Sequence, residues 1–421
     1  MNELELLVTT AFAQDPRIVS PPAGGPAFSD VGVVALVPER WGGMWLSRHQ
    51  ILTRLSRYFH VVWHNPARSW RHSLVPAARF SHADPTAPPP SGFSIYDHEA
   101  WLPLFYRPGV LSRATERARL RHSRRLLEQA GCRRILLYVW QPTFADALDL
   151  LDHDVSCYHI ADEYSFSEVE HDIPPQERRL IERVDQVFIH SPALMEKKGH
   201  INPHTAYITN GVDYAAFAGE VAEPADLALI PRPRIGYIGR IKSQLDWAAL
   251  LGIARRRPEW SLVLVGPIGH MGEFGAAKDE LFALPNVHYL GNRLVGEIPS
   301  YTRHMDVCLL SYALTDYTRY IFPLKLHEYL ASGRPVVGSD IRTLREFDGV
   351  VRIAHDLDGW CGAIDAALAP EERSLERVEE RRRVARLYDW NTITHRIAGI
   401  LCDRIGGDAP ARFAANTARE A

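Results

Sequence analysis

Residues 322–338 read FPLKLHEYLASGRPVVG, a run that predicts a helix followed directly by a buried strand. Pro323 stands where the helix would start, a position that favours proline. The helix would cover Leu324–Ser332, and Gly333 would end it before the strand Pro335–Gly338. A strand that follows a helix so closely is typical of the repeating units of a parallel sheet in an α/β fold.

The start of this predicted helix suits a phosphate group. A helix N-terminus offers free N–H groups and the positive end of the helix dipole. Lys325 lies in the first turn, and Glu328, one turn later, is placed to accept hydrogen bonds from ribose hydroxyls. A surface ion pair between the two at i,i+3 spacing, worth only about 0.2–0.5 kcal/mol, explains the same residues. The apolar residues around both charges favour the binding role.

A glycine turn lies upstream, where residues 235–241 read IGYIGRI. The strand of this segment runs into Gly239, and Arg240 and Lys242 follow it. Glycine lets a backbone approach a ligand closely, and the two cations supply positive charge where a diphosphate would lie. A glycine turn between a strand and a helix is also common in structural roles, so the motif is weak when taken alone.

Alternating strand and helix patterns extend outward from these two motifs. In the second half of the chain the predicted strands are Ile235–Ile238, Ser261–Val265, Val287–Leu290, Val307–Leu310, Pro335–Gly338 and Val350–Ile353. The predicted helices there are Leu245–Arg256, Ile298–Arg303 and Leu324–Ser332. In the first half the predicted strands are Val31–Val37, Val61–His64, Ile135–Val139, Ser156–Ile160 and Val187–His190, with helices at Leu46–Tyr58 and Arg113–Ala130. The alternation predicts two Rossmann-like, doubly wound parallel-sheet domains, which bind ligands at the carboxyl ends of their strands.

The C-terminal region is predicted to be mostly helical from Glu371 to Ile405. Asn391 or Thr392 would cap an apolar helix at Ile393–Leu401. The polar, alanine-rich tail after Gly406 is expected to be frayed.

The composition is that of a soluble globular protein. The chain of 421 residues carries a formal charge of −3, which excludes bulk electrostatic binding to nucleic acid. Five scattered cysteines indicate a reduced compartment, and no apolar run approaches the roughly 20 residues of a spanning helix. The N-terminus carries acidic residues where a secretory signal needs basic ones. We therefore expect a cytoplasmic protein.

One segment departs from this average charge, since basic residues crowd the predicted helix of the first half. They are Arg113, Arg117, Arg119, Arg121, Arg124, Arg125, Arg133 and Arg134. A basic residue near an anionic lipid surface contributes roughly 1 kcal/mol, so the segment predicts peripheral contact with the inner face of the cell membrane. A solvated helix face explains the same residues.

Five segments, in order along the chain, resemble motifs of retaining glycosyltransferases of the family 4 type, the glycosyl transferases group 1. They are ITNGVD (208–213), IGYIGRI (235–241), VHYLGNRLVGEIPSYTRHMDVCLLSY (287–312), FPLKLHEYLASGRPVVGSD (322–340) and YDWNTIT (388–394). The match covers about 190–400. More faintly, residues 45–66 and DEYSFSE (162–168) resemble a branch that works on cell-surface polysaccharides.

The resemblance implies the GT-B fold, with two Rossmann-like domains facing a cleft, and transfer of a sugar with retention from a UDP- or GDP-linked donor. Arg240 and Lys325 would stabilise the departing diphosphate, without a metal or another cofactor, and Glu328 would bind the ribose. The residues implied in donor binding are Gly239, Arg240, Gly266, Asn292, Arg293, Pro323, Leu324, Lys325 and Glu328.

The resemblance also implies a division of the chain. Residues 1–28 would be a loose extension, 29–215 the acceptor domain, 230–385 the nucleotide-sugar domain, and 386–405 a helix that returns toward the first domain. The acceptor would be a saccharide or a polyprenyl-diphosphate-linked saccharide. Aromatic rings stack on sugars, so its expected contacts are Gly42, Gly43, Trp45 and His49, although Trp45 and His49 also fit ordinary packing. Asp162 would steer the acceptor hydroxyl or the sugar.

One departure from the family keeps two alternatives open. The family carries two glutamates eight positions apart, but Tyr320 stands eight residues before Glu328. Asp316 and Tyr317 are candidates to replace the missing glutamate. A nucleotide-sugar epimerase of the same fold would rearrange its donor without an acceptor, and a binding protein with a decayed site would not turn it over at all.

Overall fold

The computed structural model describes residues 25–42, 45–69, 89–105, 109–165 and 170–420. Within these residues the chain divides into two compact units. Unit 1 takes the chain as far as His190, together with Leu194–Ile208 and everything from Asn391 onward. Unit 2 takes Ser191–Ala193 and Thr209–Trp390.

Unit 1 is built on a parallel sheet of seven strands in the order β3-β2-β1-β4-β5-β6-β7. The strands are β1 (Phe28–Leu36), β2 (Phe59–His64), β3 (Phe93–Tyr96), β4 (Arg134–Val139), β5 (Val155–Ile160), β6 (Gln186–Ile189) and β7 (Thr205–Tyr207). The helices between them are α1 (Ser47–Leu55), α2 (Gly109–Gln129), α3 (Ala147–Leu150), α4 (Pro175–Arg183) and α5 (Pro192–Lys198).

Unit 2 repeats the architecture with a six-stranded parallel sheet in the order β10-β9-β8-β11-β12-β13. The strands are β8 (Arg234–Ile238), β9 (Ser261–Val265), β10 (Val287–Tyr289), β11 (Val307–Leu310), β12 (Val336–Ser339) and β13 (Val351–Ala354). The helices are α6 (Tyr214–Ala218), α7 (Ala225–Ala228), α8 (Trp247–Arg256), α9 (Gly275–Phe282), α10 (Ile298–Arg303), α11 (Leu324–Ala331), α12 (Leu357–Leu368) and α13 (Leu375–Arg386). The predicted α/β class with two doubly wound parallel sheets is confirmed.

Apolar side chains cover both faces of the unit 2 sheet, as is typical of parallel sheets. Successive residues of a strand point to opposite faces, so Tyr237 and Leu264 pack on one side while Ile238 and Val263 pack on the other. This burial leaves the two ends of the strands as the polar parts of the sheet. The carboxyl end is where the helix α11 begins.

The C-terminal region differs from the sequence-based expectation in two respects. Helix α14 (Trp390–Ile405) begins before Asn391 and Thr392, so the predicted cap is wrong. The tail is not frayed either, since it forms α15 (Ala409–Glu420). Tertiary contacts with the rest of unit 1 hold α15 in place. Arg412 pairs with Asp30 at 2.9 Å, and the ring of Phe413 lies 6.0 Å from that of Tyr58.

In the part of the chain that the structure describes, no helix combines the length and the apolar character needed to cross a bilayer.

Candidate functional site

Three neighbouring strands of unit 2 lead, at their carboxyl ends, into glycines with positive φ. Gly239 follows β8 with φ +147°, Gly266 follows β9 with φ +135°, and Gly291 lies just beyond β10 with φ +76°. The N–H of Gly239 donates to the carbonyl of Val265 at 2.7 Å, and that of Gly266 donates to Gly291 at 2.8 Å. The three turns are therefore joined by main-chain hydrogen bonds into one layer, which we call the glycine floor.

Close contacts explain why the glycine floor carries no side chains. A Cβ added to Gly266 would lie 2.2 Å from the carbonyl oxygen of Gly239. A Cβ added to Gly239 would lie 1.8 Å from Cε of Lys325 and 2.6 Å from its Nζ. The structure thus brings together three residues that the sequence placed in the donor site, although they are far apart in the chain.

Lys325 lies in the first turn of α11 and is half-buried. Its ammonium nitrogen is 5.1 Å from the centroid of the Tyr237 ring, a cation–π distance. Burial alone would lower its pKa, but Tyr237, Tyr312 and Glu328 hold the pKa above its usual value. Lys325 is therefore a fixed cation at neutral pH beside the glycine floor.

The N-terminus of α11 is held by hydrogen bonds to the residues before it. Asn210 donates from Nδ2 to the carbonyl of Phe322 at 2.7 Å, and Thr343 donates to that of Ile321 at 2.8 Å. Pro323 occupies the N-cap position and is buried, and Leu324 is the first helical residue. The NGVD segment thus supports the helix start, a role that the sequence did not indicate.

Two other donor-site candidates also lie along α11 and the glycine floor. Glu328 is half-buried, and its charge contributes to the raised pKa of Lys325. The side chain of Arg240 is exposed, and its stem lies against the main chain at Gly269. The Arg240 carbonyl accepts a hydrogen bond from the hydroxyl of Tyr237 at 3.0 Å.

Asn292 and Arg293 follow Gly291 but differ in their surroundings. Asn292 is exposed. The guanidinium of Arg293 donates to the hydroxyl of Tyr301 at 2.6 Å and forms an ion pair with Asp226. Its side chain therefore ties α7 to α10, and the predicted role in donor binding would fall to the main chain of this segment. That role stays a prediction.

His327 and Tyr320, which flank the cation of α11 in sequence, are packing residues. The His327 ring stacks on Tyr388 at 4.0 Å, and burial lowers its pKa to about 3, so it is neutral. Tyr320 is buried, and its hydroxyl accepts a hydrogen bond from Arg319 at 2.6 Å. A buried phenol thus stands where the family has its first glutamate, while Asp316 nearby is exposed.

The acceptor candidates of unit 1 lie beyond the carboxyl end of β1. Gly42 has a φ of +105°, and Gly43 lies outside the described residues. The Trp45 ring is 6.0 Å from the Trp41 ring and 5.5 Å from the His49 ring. His49 is only 1% exposed, and burial lowers its pKa to about 3. Trp41 and Trp45 are therefore the half-buried rings of the cluster, and both pack against the buried ring of His49.

Asp162 and its neighbour Glu163 follow β5 and have different environments. Glu163 is buried and pairs with Lys198 at 2.9 Å, while Lys198 also pairs with Glu177 at 2.8 Å. Asp162 is exposed, and its carboxylate accepts the N–H of Glu163 at 2.8 Å. Of the two, only Asp162 lies where a ligand reaches it.

Among the residues that the structure describes, no group of three or more His, Cys, Asp and Glu side chains is arranged to hold a metal ion.

Two doubly wound parallel-sheet units, the second with a cation above glycine turns at its carboxyl edge, are the architecture of GT-B glycosyltransferases. Residues 232–369 match the family model for glycosyl transferases group 1. The chain is 31% identical over 275 residues to TuaH of Bacillus subtilis, which is described as a teichuronic acid biosynthesis glycosyltransferase. The alignment covers 62% of this chain and 67% of the relative. The chain therefore belongs to the group 1 glycosyltransferases, and the predicted resemblance and enzyme class are confirmed.

Solved structures show the same fold. HepE of Anabaena, in complex with UDP-glucose, is 17% identical with a TM-score of 0.61, covering 89% of this chain and 99% of that one. A glycosyltransferase of Rickettsia africae is 10% identical with a TM-score of 0.63, covering 90% and 99%.

Proposed function

We propose that the chain transfers a sugar from a nucleoside-diphosphate sugar to a saccharide or polyprenyl-diphosphate-linked saccharide. Transfer proceeds with retention of the anomeric configuration, at the inner face of the cell membrane, during synthesis of a cell-surface polysaccharide. The name of the Bacillus relative supports the polysaccharide. The UDP-glucose bound to the Anabaena protein supports a UDP-linked donor.

The position of Lys325 carries this proposal. Its Nζ lies beside the main chain of Gly239, at the N-terminus of a helix and at the carboxyl edge of a doubly wound sheet. The helix end and the ammonium both attract a pyrophosphate. Fixed charges of this kind stabilise a departing diphosphate without reorganising during the reaction. We assign the same task to Arg240, and ribose binding to Glu328.

In unit 1 we assign the acceptor to the half-buried rings of Trp41 and Trp45 and to Asp162. The indole rings offer an apolar face on which a sugar ring stacks. The Asp162 carboxylate orients an acceptor hydroxyl by accepting a hydrogen bond from it.

A thermal-shift screen of nucleotide sugars tests the donor site. A donor at 100 times its Kd should add about 2.7 kcal/mol of apparent stability, and EDTA should leave this shift unchanged. Glu328→Gln should weaken the shift from UDP- or GDP-sugars, because the amide is a weaker acceptor for ribose hydroxyls. Glu280→Gln, which changes an exposed glutamate of α9, should not.

Product analysis separates the alternatives. Incubation with the nucleotide sugar alone should leave the donor unchanged, and an epimerised donor would favour the epimerase. A donor shift without any transfer to saccharide or lipid-linked acceptors would favour the decayed site. The absence of a shift with every nucleotide sugar would contradict the donor site itself. NMR of the new glycosidic bond reports retention or inversion.

The membrane part of the proposal rests on one face of α2. Arg113, Arg117, Arg121 and Arg125 are exposed and spaced four residues apart, so they line one side of the helix. Like charges at this spacing destabilise a helix, and none of the four forms an ion pair with a described residue. We call this row the arginine ridge. An anionic surface would relieve its repulsion.

Other arginines of the same segment do not belong to the ridge. Arg119 is buried and donates to the carbonyls of Leu102 and Pro103. Arg124 and Arg134 pair with acidic residues of unit 1. The predicted basic patch is therefore smaller than the sequence suggested. It adjoins exposed apolar side chains, with Val110 81% exposed at the start of α2 and Trp101 69% exposed in the preceding segment.

Vesicle co-sedimentation tests the arginine ridge. Arg117→Gln with Arg121→Gln should weaken partitioning onto anionic vesicles about 30-fold, which corresponds to roughly 1 kcal/mol per basic residue. Arg255→Gln with Arg256→Gln, which removes the same charge from exposed residues of α8, is the matched control. Equal losses in the two double variants, or binding that ignores the lipid charge, would refute membrane contact through the ridge.

A further inference from the structure

Tyr237 is a buried residue of β8 whose hydroxyl lies among several polar groups of the candidate donor site. Its exposed fraction is 1%, so it has no direct access to a ligand. The hydroxyl donates to the carbonyl of Arg240 at 3.0 Å. It also hydrogen-bonds with the ammonium of Lys325 and with Tyr312.

The hydrogen-bonding capacity of a phenol matches this set of partners. A hydroxyl has one hydrogen to donate and two lone pairs to accept with. The hydrogen goes to the Arg240 carbonyl, and a lone pair accepts from Lys325, whose ammonium can only donate. The donated and the accepted bond together fix the orientation of the hydroxyl.

Lys325 needs such support because a lysine side chain is long and flexible. Fixing its four-carbon stem costs rotamer entropy, about 2 kcal/mol when the whole side chain is ordered. Gly239 restrains the stem on one side, since Cε lies against its main chain. The Tyr237 ring and hydroxyl restrain the ammonium on the other side.

The same hydroxyl also fixes the turn that carries Arg240. Gly239, with φ +147°, adopts a conformation in which the following peptide has alternatives, because glycine lacks the steric limits of other residues. The hydrogen bond from Tyr237 to the Arg240 carbonyl fixes the next peptide, between Arg240 and Ile241, and thereby restricts the turn. The Tyr237 side chain thus fixes both the position of the Lys325 ammonium and the conformation of the Gly239–Arg240 turn.

We propose that Tyr237 is the positioning residue of the donor site, whose hydroxyl couples the Lys325 ammonium to the Gly239–Arg240 turn. The proposal rests on the proposed function, in which this edge binds the donor diphosphate. Tyr237 acts through Lys325 and not as an acid or a base. Burial raises its pKa, so it keeps its proton at neutral pH.

Tyr237→Phe tests the proposal, since phenylalanine keeps the ring and removes only the hydroxyl. A cation misplaced by about 1 Å costs roughly 100-fold in rate. We therefore expect kcat to fall about 10- to 100-fold, while the donor KM changes only a few-fold. The ammonium also loses an acceptor that favours its charged form. The alkaline limb of the kcat profile should therefore move to lower pH.

Tyr289→Phe is the matched control. The Tyr289 hydroxyl donates to the carbonyl of Gly266 at 3.1 Å, so it supports the same glycine floor one strand away. Its loss should leave the alkaline limb where it is in the wild type. Tyr312→Phe removes a phenol that hydrogen-bonds with Tyr237 and helps to raise the pKa of Lys325, so it should move the limb in the same direction by a smaller amount.

The outcomes distinguish this proposal from the proposed function. If the wild type binds and transfers a donor but Tyr237→Phe shows the wild-type alkaline limb, the positioning role is wrong and the donor site stands. The positioning role is equally wrong if Tyr289→Phe shifts the limb as far as Tyr237→Phe does. If Tyr237→Phe is too unstable to assay, Tyr312→Phe decides, and an unchanged limb there overturns the proposal. If the wild-type protein binds no nucleotide sugar, the proposed function itself is wrong.

Discussion

Lys325→Gln is expected to lower kcat by about 100- to 1,000-fold, the loss found when one fixed donor to a developing negative charge is removed. Glutamine keeps a hydrogen-bond donor and much of the side-chain volume, but it carries no charge. The charge on the bridging oxygen grows as the bond to the sugar breaks, so the ammonium interacts more strongly with the transition state than with the bound donor. The KM for the donor should therefore change less than kcat.

Steady-state kinetics with a nucleotide sugar and an acceptor measure this loss, and thermal unfolding gives the accompanying change in stability. The variant should unfold somewhat below the wild-type temperature, because the raised pKa of Lys325 means that its surroundings stabilise the cation by more than its desolvation costs. Lys278→Gln is the control, since Lys278 lies on α9 and pairs with Asp279 at 2.8 Å. A wild-type kcat in Lys325→Gln would show that Lys325 does not stabilise the transition state.

The sequence predicted the architecture of unit 2 well because its signals are local. The helix Leu324–Ser332 and the strand Ser261–Val265 were recognisable from turn residues and apolar spacing alone, and the structure has them within a residue. The helix α12 (Leu357–Leu368) of unit 2 was missed, as was the short strand β7 (Thr205–Tyr207) of unit 1. Strand β7 has only three residues, too few to show an alternating pattern. Helix α12 has small residues on both faces, so its apolar face is not distinct in the sequence.

The contacts between residues far apart in the chain could not be predicted from the sequence. Glycine at position 239 was recognised as a close-approach residue, but nothing local showed that the approaching atom is Cε of Lys325. Likewise, Arg119 looks like its neighbours in sequence but is buried against two carbonyls. The alanine-rich tail has weak apolar content, and its helix depends on the packing of Phe413 on unit 1. Each of these outcomes is decided by tertiary packing, which overrides local preference.

Gly239→Ala should be as damaging to activity as the loss of Lys325, for a reason that involves two separate costs. The backbone conformation at φ +147° is one that an alanine adopts only under strain, about 1–3 kcal/mol. The added methyl group would lie 1.8 Å from Cε of Lys325, so the lysine must leave its position. The variant should therefore lose both stability and about 100-fold or more in kcat, since it displaces the same cation.

The double variant Gly239→Ala with Lys325→Ala separates these two costs. Removing the lysine stem relieves the overlap, so the double variant should be more stable than Gly239→Ala alone, while its activity should be no higher than that of Lys325→Ala. Non-additivity of this kind is expected only for residues in contact. Gly362→Ala provides the reference, because Gly362 lies within α12 with nothing within 4 Å of an added Cβ. There alanine should stabilise the fold by about 0.5–1 kcal/mol. Strictly additive losses in the double variant would mean that the glycine serves only its own turn, and that the position of Lys325 is set by other residues.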